Sequence, residues 1–348
     1  MLLEKVIDKS VPVVSADRSR CLRMRFDRDT CAQCVEQCRK GAIEIDDDVR
    51  IRTDSCTNCM LCAAACPSDV FTISGFDFSS LVGKLLRLPS SVFSPVLGCA
   101  ARTDADCHVR SACFGFLSEA HMLALFTIMR KPVQLDMTGC KECKNGFTSA
   151  ILEERLAAIG EITGPAISGK IRLITNRDEL DFHDIVYGRR GFFSALKTLT
   201  FNQAAGLLRE DETAGYTEAY TAKKLPGKRE LLNRTVKVLP EDKARAVLER
   251  YYFTARAGEA CNNCFACVGM CPTGALTIAE GAKGRELRFS SASCSGCGLC
   301  ENFCLTGALV VERGFAGREP DKPMPVKTEP SIRSESETYE SGIQSSSG

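Results

Sequence analysis

The chain has 348 residues, enough for two or three compact domains, and its 44% hydrophobic and 26% charged content is that of an ordinary soluble protein. Lys plus Arg exceeds Asp plus Glu by one, which excludes a net field toward nucleic acid or acidic lipid, and no apolar run of about 18 residues offers a membrane span. The unusual count is 21 cysteines, grouped rather than scattered, beside three histidines and no tryptophan.

The opening Met1-Leu2-Leu3-Glu4-Lys5 lacks the apolar core of a signal peptide, which predicts no general secretory export. Clustered C-x-x-C spacings in an unsecreted chain point to metal rather than to a disulfide framework. With so few histidines, soft thiolate does nearly all the ligation, which favours iron–sulfur clusters or zinc. The expected compartment is a reducing, anaerobic cytoplasm, because thiolates and exposed clusters oxidise readily.

In chain order, residues 1–80 are cysteine-rich, with short strand-like runs at 22–26, 42–45 and 49–52. Residues 90–176 read as strand 92–97, helix 116–129, strand 133–135, helix 150–159 and strand 171–174, the pattern of a small parallel α/β domain. Residues 177–250 are charged, helical in pattern and free of cysteine, and read as a connector. The cysteine-rich pattern returns over 251–313. Residues 314–348, rich in Pro, Ser, Glu and Lys without periodicity, predict a disordered tail. The first and last cysteine-rich segments form an internal repeat.

Cys261, Cys264, Cys267 and Cys271 stand in a C-x2-C-x2-C-x3-C run followed by Pro272, and Cys294, Cys297, Cys300 and Cys304 repeat the spacing. Three thiolates of each run can wrap one cubane, while the fourth opens a segment leading to the neighbouring cluster. One cluster is then assigned Cys261, Cys264, Cys267 and Cys304, and the other Cys271, Cys294, Cys297 and Cys300. The flanks repeat as well: 272–278 reads Pro-Thr-Gly-Ala-Leu-Thr-Ile and 305–311 reads Leu-Thr-Gly-Ala-Leu-Val-Val. Over about sixty residues this segment resembles the bacterial two-cluster ferredoxins. The competing four-cysteine zinc site usually shows paired C-x-x-C knuckles instead.

Cys56, Cys59, Cys62 and Cys66, followed by Pro67, carry the full motif again, whereas Cys31, Cys34 and Cys38 match only its last three positions, with Arg28 in place of the first cysteine. One cluster follows as Cys38, Cys56, Cys59 and Cys62. The other has Cys31, Cys34 and Cys66, and Cys21 is the spare cysteine nearby. A chain extended from 21 to 31 would span roughly 33 Å, so it must fold back to deliver that thiolate. The run 21–26, Cys-Leu-Arg-Met-Arg-Phe, resembles a variant in complex-associated two-cluster proteins. The alternative is a three-cysteine site, [3Fe–4S] or with an open iron.

Cys99, Cys107, Cys113, Cys140 and Cys143 remain. Cys99 follows the 92–97 run, the Cys140/Cys143 pair follows 133–135, and Cys113 precedes a helix. Ligands gather at the carboxyl ends of parallel strands, so Cys99, Cys113, Cys140 and Cys143 make a candidate fifth site, with Cys107 and His108 as substitutes. The region resembles small cysteine-bearing α/β domains of anaerobic hydrogenase and heterodisulfide reductase systems. Iron–sulfur cluster, zinc and merely structural thiols all fit the spacing.

Arg189-Arg190-Gly191-Phe192-Phe193 resembles a twin-arginine export motif but stands mid-chain and reads as a solvated turn. His121 and His183 read as ordinary histidines, and the run 223–229 as a loop. No glycine fingerprint or P-loop suggests nucleotide or flavin. The expected fold is α+β: two ferredoxin-like dicluster modules and a small parallel-sheet middle domain. The expected function is single-electron transfer through about four [4Fe–4S] clusters to or from a hydrogenase, formate dehydrogenase or disulfide-reductase type complex. The alternatives are an enzyme using an incompletely ligated cluster, and a redox or metal sensor working through the tail.

Overall fold

The computed structural model describes residues 13–102, 105–183, 222–281, 284–315 and 317–329. The N-terminal pentapeptide, the 189–193 motif, connector residues 184–221 and tail residues 330–348 lie outside the described residues.

The first module runs β1 (Val14–Ala16), a 3-10 turn at Arg18–Arg20, α1 (Leu22–Arg25), α2 (Gln33–Gln37), β2 (Ile43–Ile45), β3 (Val49–Ile51), α3 (Leu61–Ala65) and β4 (Phe71–Ile73). Two antiparallel ribbons form, β1 with β4 (Val14 opposite Ile73) and β2 with β3 (Ile43 opposite Ile51). Ile43 and Ile45 point into the core while Glu44 lies at the surface between them, the period-two alternation of a half-buried strand. The strand expected over 22–26 is instead a helical turn. Its alternation of apolar and basic residues imitates a strand, but Asp17 accepts from the Ser19 N–H and turns the chain, and the N–H groups of Met24 and Arg25 close onto the Cys21 carbonyl at 3.1 Å each.

The middle region begins with α4 (Phe78–Leu86), whose first turn is capped by the Asp77 carboxylate. It continues through β5 (Val96–Cys99), β6 (Val109–Ser111), a 3-10 turn at Phe114–Phe116, α5 (Glu119–Ile128), β7 (Val133–Asp136), α6 (Thr148–Thr163), α7 (Ala166–Lys170) and β8 (Ile171–Ile174). The strands form one parallel sheet in the order β6-β5-β7-β8. Val96, Leu97, Val133 and Leu135 are fully buried, as in a sheet covered on both faces. The first strand starts at Val96 rather than 92 because Pro95 has no N–H to give the ladder, although its carbonyl accepts from Gln134. Strand β6 has only three residues and no legible pattern in the sequence.

A 3-10 turn at Arg177–Glu179 closes this region, and the chain re-enters at α8 (Gly227–Val236) and α9 (Glu241–Tyr251). The run 223–229 is thus a loop only as far as Pro226, which sits before the first helical residue. The second module follows as β9 (Phe253–Gly258), α10 (Ala266–Met270), β10 (Leu276–Gly281), β11 (Gly284–Phe289), α11 (Leu299–Asn302) and β12 (Leu309–Arg313). Here too are two ribbons, β10 with β11 and β12 with β9. Part of the expected tail is ordered: β13 (Met324–Pro325) adds to β11 and β14 (Lys327–Glu329) runs parallel to β9.

One apolar core is shared by the first module, the parallel sheet and helices α8 and α9, and a smaller second core fills the C-terminal module. Among the described residues no helix is long and apolar enough to cross a membrane.

Candidate cluster sites

The cysteine loops share a backbone signature. In 56–62 the left-handed residues are Asn58 (φ 53°) and Met60 (66°), in 261–267 they are Asn263 (53°) and Phe265 (58°), and in 294–300 they are Gly296 (69°) and Gly298 (76°). The first of each pair lies two residues beyond the first cysteine of its run, and the second lies one residue beyond the second cysteine. Left-handed Met and Phe cost about 1–2 kcal/mol each, so the same strain at the same two positions indicates a shape the loop must take. Alternating left- and right-handed residues turn successive N–H groups toward one point and create a concave anion site. A third shared position follows the fourth cysteine by three residues: Gly41, Asp69, Gly274 and Gly307 have φ of 57°, 50°, 74° and 62°. After it, the N–H groups of Ala42 and Val70 reach back to the sulfurs of Cys38 and Cys66 at 3.2 and 3.4 Å. The loop at 31–38 lacks the left-handed pair, and Arg28, standing where its first cysteine would be, is exposed.

The thiols gather in groups. Burial pushes Cys34 up to about 12, and the neighbours adding to the rise are Cys66, Cys21 and Cys31. Cys31 is raised by burial, with Asp29, Cys66 and Cys21 contributing. Cys21 is itself buried, at 7% exposure, so four thiols rather than three stand at this place. Cys38, Cys56, Cys59 and Cys62 together line a cavity walled by Val14, Ile43, Ile51 and Leu61. Cys62 is raised by burial and then by Cys59 and Cys56.

The C-terminal module repeats this. Burial lifts Cys294 to about 12 and Cys297 to about 11, with Cys271 beside each, and raises Cys300 next to Cys297, Cys271 and Cys294. Burial lifts Cys267 to about 11 with Cys264 and Cys304 as neighbours, and Cys261 heads the same loop. At Cys304 the rise from burial is outweighed by hydrogen bonds from the Thr306 hydroxyl and the N–H groups of Leu309, Ala308 and Thr306, so its thiol lies below the ordinary value.

In the middle region Cys113 is lifted to about 12 by burial, with Cys99, Cys59 and Cys140 as neighbours. Cys140 is lifted to about 11 by burial, Cys99 and Cys143. Cys99, Cys113, Cys140 and Cys143 therefore converge beyond the strand ends. Cys107 stays apart, raised by burial with Asp136 and Asp106 as its acidic neighbours, and His108 is engaged, its Nδ1 accepting from the Val96 N–H at 2.9 Å. Among the described residues no group of three His, Cys, Asp or Glu could hold a single metal ion. His121 packs edge-on to Phe78 and Phe116 and bonds Ser118 at the start of α5, a structural role.

These loops meet the requirements of iron–sulfur clusters: converging thiols, inward N–H groups, the Ser295 hydroxyl bonded to Cys297 and a buried hydroxyl without a partner beside the cysteines, at Thr57. The description of the 4Fe-4S dicluster domain matches residues 28–70 and again 260–308. Over 45 residues the chain is 42% identical to a ferredoxin of Methanothermococcus thermolithotrophicus, a match covering 12% of this chain and 75% of that protein. This chain belongs to the dicluster [4Fe–4S] ferredoxin family. No solved structure gave a significant match. As a dicluster ferredoxin-domain protein it carries [4Fe–4S] clusters and serves iron–sulfur electron transfer.

In this ferredoxin-domain protein the two modules meet through residues that the motifs do not reveal. Asp29, 3% exposed, accepts the Cys31 N–H with one oxygen and the Asn302 amide of the other module with the second, at 2.9 Å each. Phe26 packs edge-on to Phe303 at 5.2 Å, and Arg25 lies beside Cys297 and Cys271. The run 223–229 supplies a matched pair of clamps. Lys228 donates to the carbonyls of Ala63, Ala64 and Cys66 at 2.7, 2.9 and 2.6 Å and pairs with Asp69 at 3.2 Å. Lys223 donates to the corresponding carbonyls of Val268, Gly269 and Cys271 at 2.9, 2.6 and 2.5 Å. Each ammonium thus satisfies the open end of the short helix that leads into the fourth cysteine.

Hydrogen bonds to a charged group contribute about 1.5–3 kcal/mol each, so Lys228→Gln is expected to cost at least about 2 kcal/mol. The visible cluster absorbance should then bleach several degrees lower on heating, and Lys223→Gln should do the same. Lys237→Gln is the control, because its surface pair with Asp321 is 68% and 62% exposed and contributes little. Equal bleaching temperatures in all three variants would refute the clamp.

Proposed function

We propose that this protein is a cytoplasmic electron wire holding four [4Fe–4S] clusters in its two modules and a fifth in the middle region. Cys21, Cys31, Cys34 and Cys66 would hold one cluster, and Cys38, Cys56, Cys59 and Cys62 another. In the C-terminal module the sets would be Cys271, Cys294, Cys297 and Cys300, and Cys261, Cys264, Cys267 and Cys304. Bound clusters supply reversible one-electron change at potentials set by hydrogen bonding and exposure.

The observation that carries this reading is continuity. Cys113 neighbours Cys59, and Asn145 donates to the Thr57 carbonyl at 3.0 Å, so the middle site abuts the Cys38 set. Within the first module, Cys34 lies beside Cys62. Asp29 lies beside both Cys31 and Cys297, which brings the Cys21 set against the Cys271 set across the seam. These contacts support the order middle site, Cys38 set, Cys21 set, Cys271 set, Cys261 set. Its ends would serve a donor and an acceptor such as a hydrogenase, formate dehydrogenase or disulfide-reductase type complex.

The test is iron, acid-labile sulfide and zinc per chain after anaerobic purification. The expected result is about 20 iron with matching sulfide and no zinc. About 16 iron with one zinc would make the middle site a scaffold at the end of a four-cluster wire. Fewer than about 12 iron would overturn the proposal.

A further inference from the structure

An open cleft of about 310 Å³ lies where the first module, α5, α6, α8 and the second module meet. Its walls include Cys66 and Pro67 on one side and Ser295 and Gly296 on the other, so it sits on the seam between the two inner thiol sets. Arg155, Lys228, Arg229 and Arg313 line it, against Glu119 as the one lining carboxylate. The remaining surface is largely small or apolar.

Arg229 is the unusual member. It is 8% exposed, gives one nitrogen to the Tyr251 carbonyl at 2.8 Å and stacks on Tyr252 and Phe253. Its Nη1 has no hydrogen-bond partner, and among the described residues no carboxylate pairs with it. Buried charges are ordinarily paired. Cys294 lies beside it, and a cluster held there would offset part of this charge, while the lining of the cleft stays cationic, with four basic side chains against one carboxylate. The described residues thus leave one nitrogen of a buried guanidinium in this basic cleft without a hydrogen bond.

We propose that this cleft binds a small organic anion, a carboxylate or phosphate on a compact apolar body, with Arg229 and Arg313 as its principal contacts. Cavities of this size take small ligands through a few placed polar groups, and guanidinium is suited to planar or phosphate oxyanions. The anion would add negative charge between the two inner thiol sets, making reduction there harder. That coupling rests on the proposed electron wire, whereas binding itself does not.

The experiment is calorimetric titration of the anaerobically purified full chain at fixed ionic strength. The probes are sodium phosphate and sodium benzoate, with benzamidinium chloride as a cation of benzoate's shape. Saturable one-to-one binding of phosphate or benzoate, with none of benzamidinium, is expected, and which of the two binds identifies the head group. Arg229→Gln is expected to weaken binding about tenfold or more, the loss of one or two charged hydrogen bonds. The surface residue Arg313 gives a second variant, Arg313→Gln, whose affinity should fall about threefold or more with folding undisturbed. Iron is counted in every sample. Absence of oxyanion binding at full iron content overturns the cleft proposal and leaves the electron-carrier reading standing. Unchanged affinity in both variants, or equal binding of benzamidinium, also overturns it.

Discussion

Cys21→Ser is expected to damage one cluster while leaving the others in place. The Cys21 thiol is buried among Cys34, Cys31 and Cys66, and the chain before it is fixed by the turn at Arg18–Arg20 and by α1 after it. A serine hydroxyl is a harder and poorer ligand for iron than thiolate. The variant should therefore lose between about one and four iron atoms per chain and gain a [3Fe–4S] EPR signal if the cluster survives as a fragment. Cys107→Ser is the matched control, since Cys107 has no cysteine among its charged neighbours, and its iron content should not change. An unaltered iron count and spectrum in Cys21→Ser would remove Cys21 from the ligand set and revive the three-cysteine site, and with it the enzyme reading.

Gly115→Ala is expected to be strongly disruptive. A Cβ there would stand 2.0 Å from the Cys59 carbonyl oxygen and 3.3 Å from Leu61 Cδ2. Gly115 does not have a left-handed φ, so contact alone sets the cost. The clash is with backbone, and neither side can yield: Arg155 holds the Gly115 and Leu117 carbonyls at 3.1 and 2.7 Å, while Cys59 lies in a loop of fixed left-handed residues. Overpacking ordinarily costs about 1–3 kcal/mol, and a rigid collision of this kind should exceed the upper figure. The 3-10 turn carrying Cys113 would lift away from Cys59. The expected reading is iron loss from the middle site and the Cys38 set together, with faster proteolysis between the sheet and the first module. In contrast, Gly83→Ala meets nothing within 4 Å inside α4 and should stabilise by about 0.5–1 kcal/mol. Normal iron content in Gly115→Ala would show that the two sites do not depend on each other.

The sequence alone determined the parts of this protein that are local in the chain. C-x2-C-x2-C-x3-C spacing dictates loop geometry over about a dozen residues, so the module segments and the family were legible from 56–66, 261–271 and 294–304. The parallel sheet was legible too, because Val133–Asp136 and Ile171–Ile174 are short segments anchored by branched apolar residues and separated by a long helical pattern. The alternating run at 22–26 misled, since a period-two pattern over five residues cannot tell a strand from a turn fixed by a cap.

Only the tertiary structure decided which thiols share a place when the chain between them is long or irregular. Cys21 lies outside the matched segment 28–70, and its delivery depends on a turn whose direction no spacing encodes. Cys113 and Cys59 are more than fifty residues apart, and their meeting follows from a core shared by the first module and the sheet. Lys223 and Lys228 looked like a charged loop because an ammonium's partners here are carbonyl groups, and carbonyls occur at every residue and leave no mark in a sequence. The same holds for Arg229, whose charge becomes significant only once α8 and the second module have removed it from water.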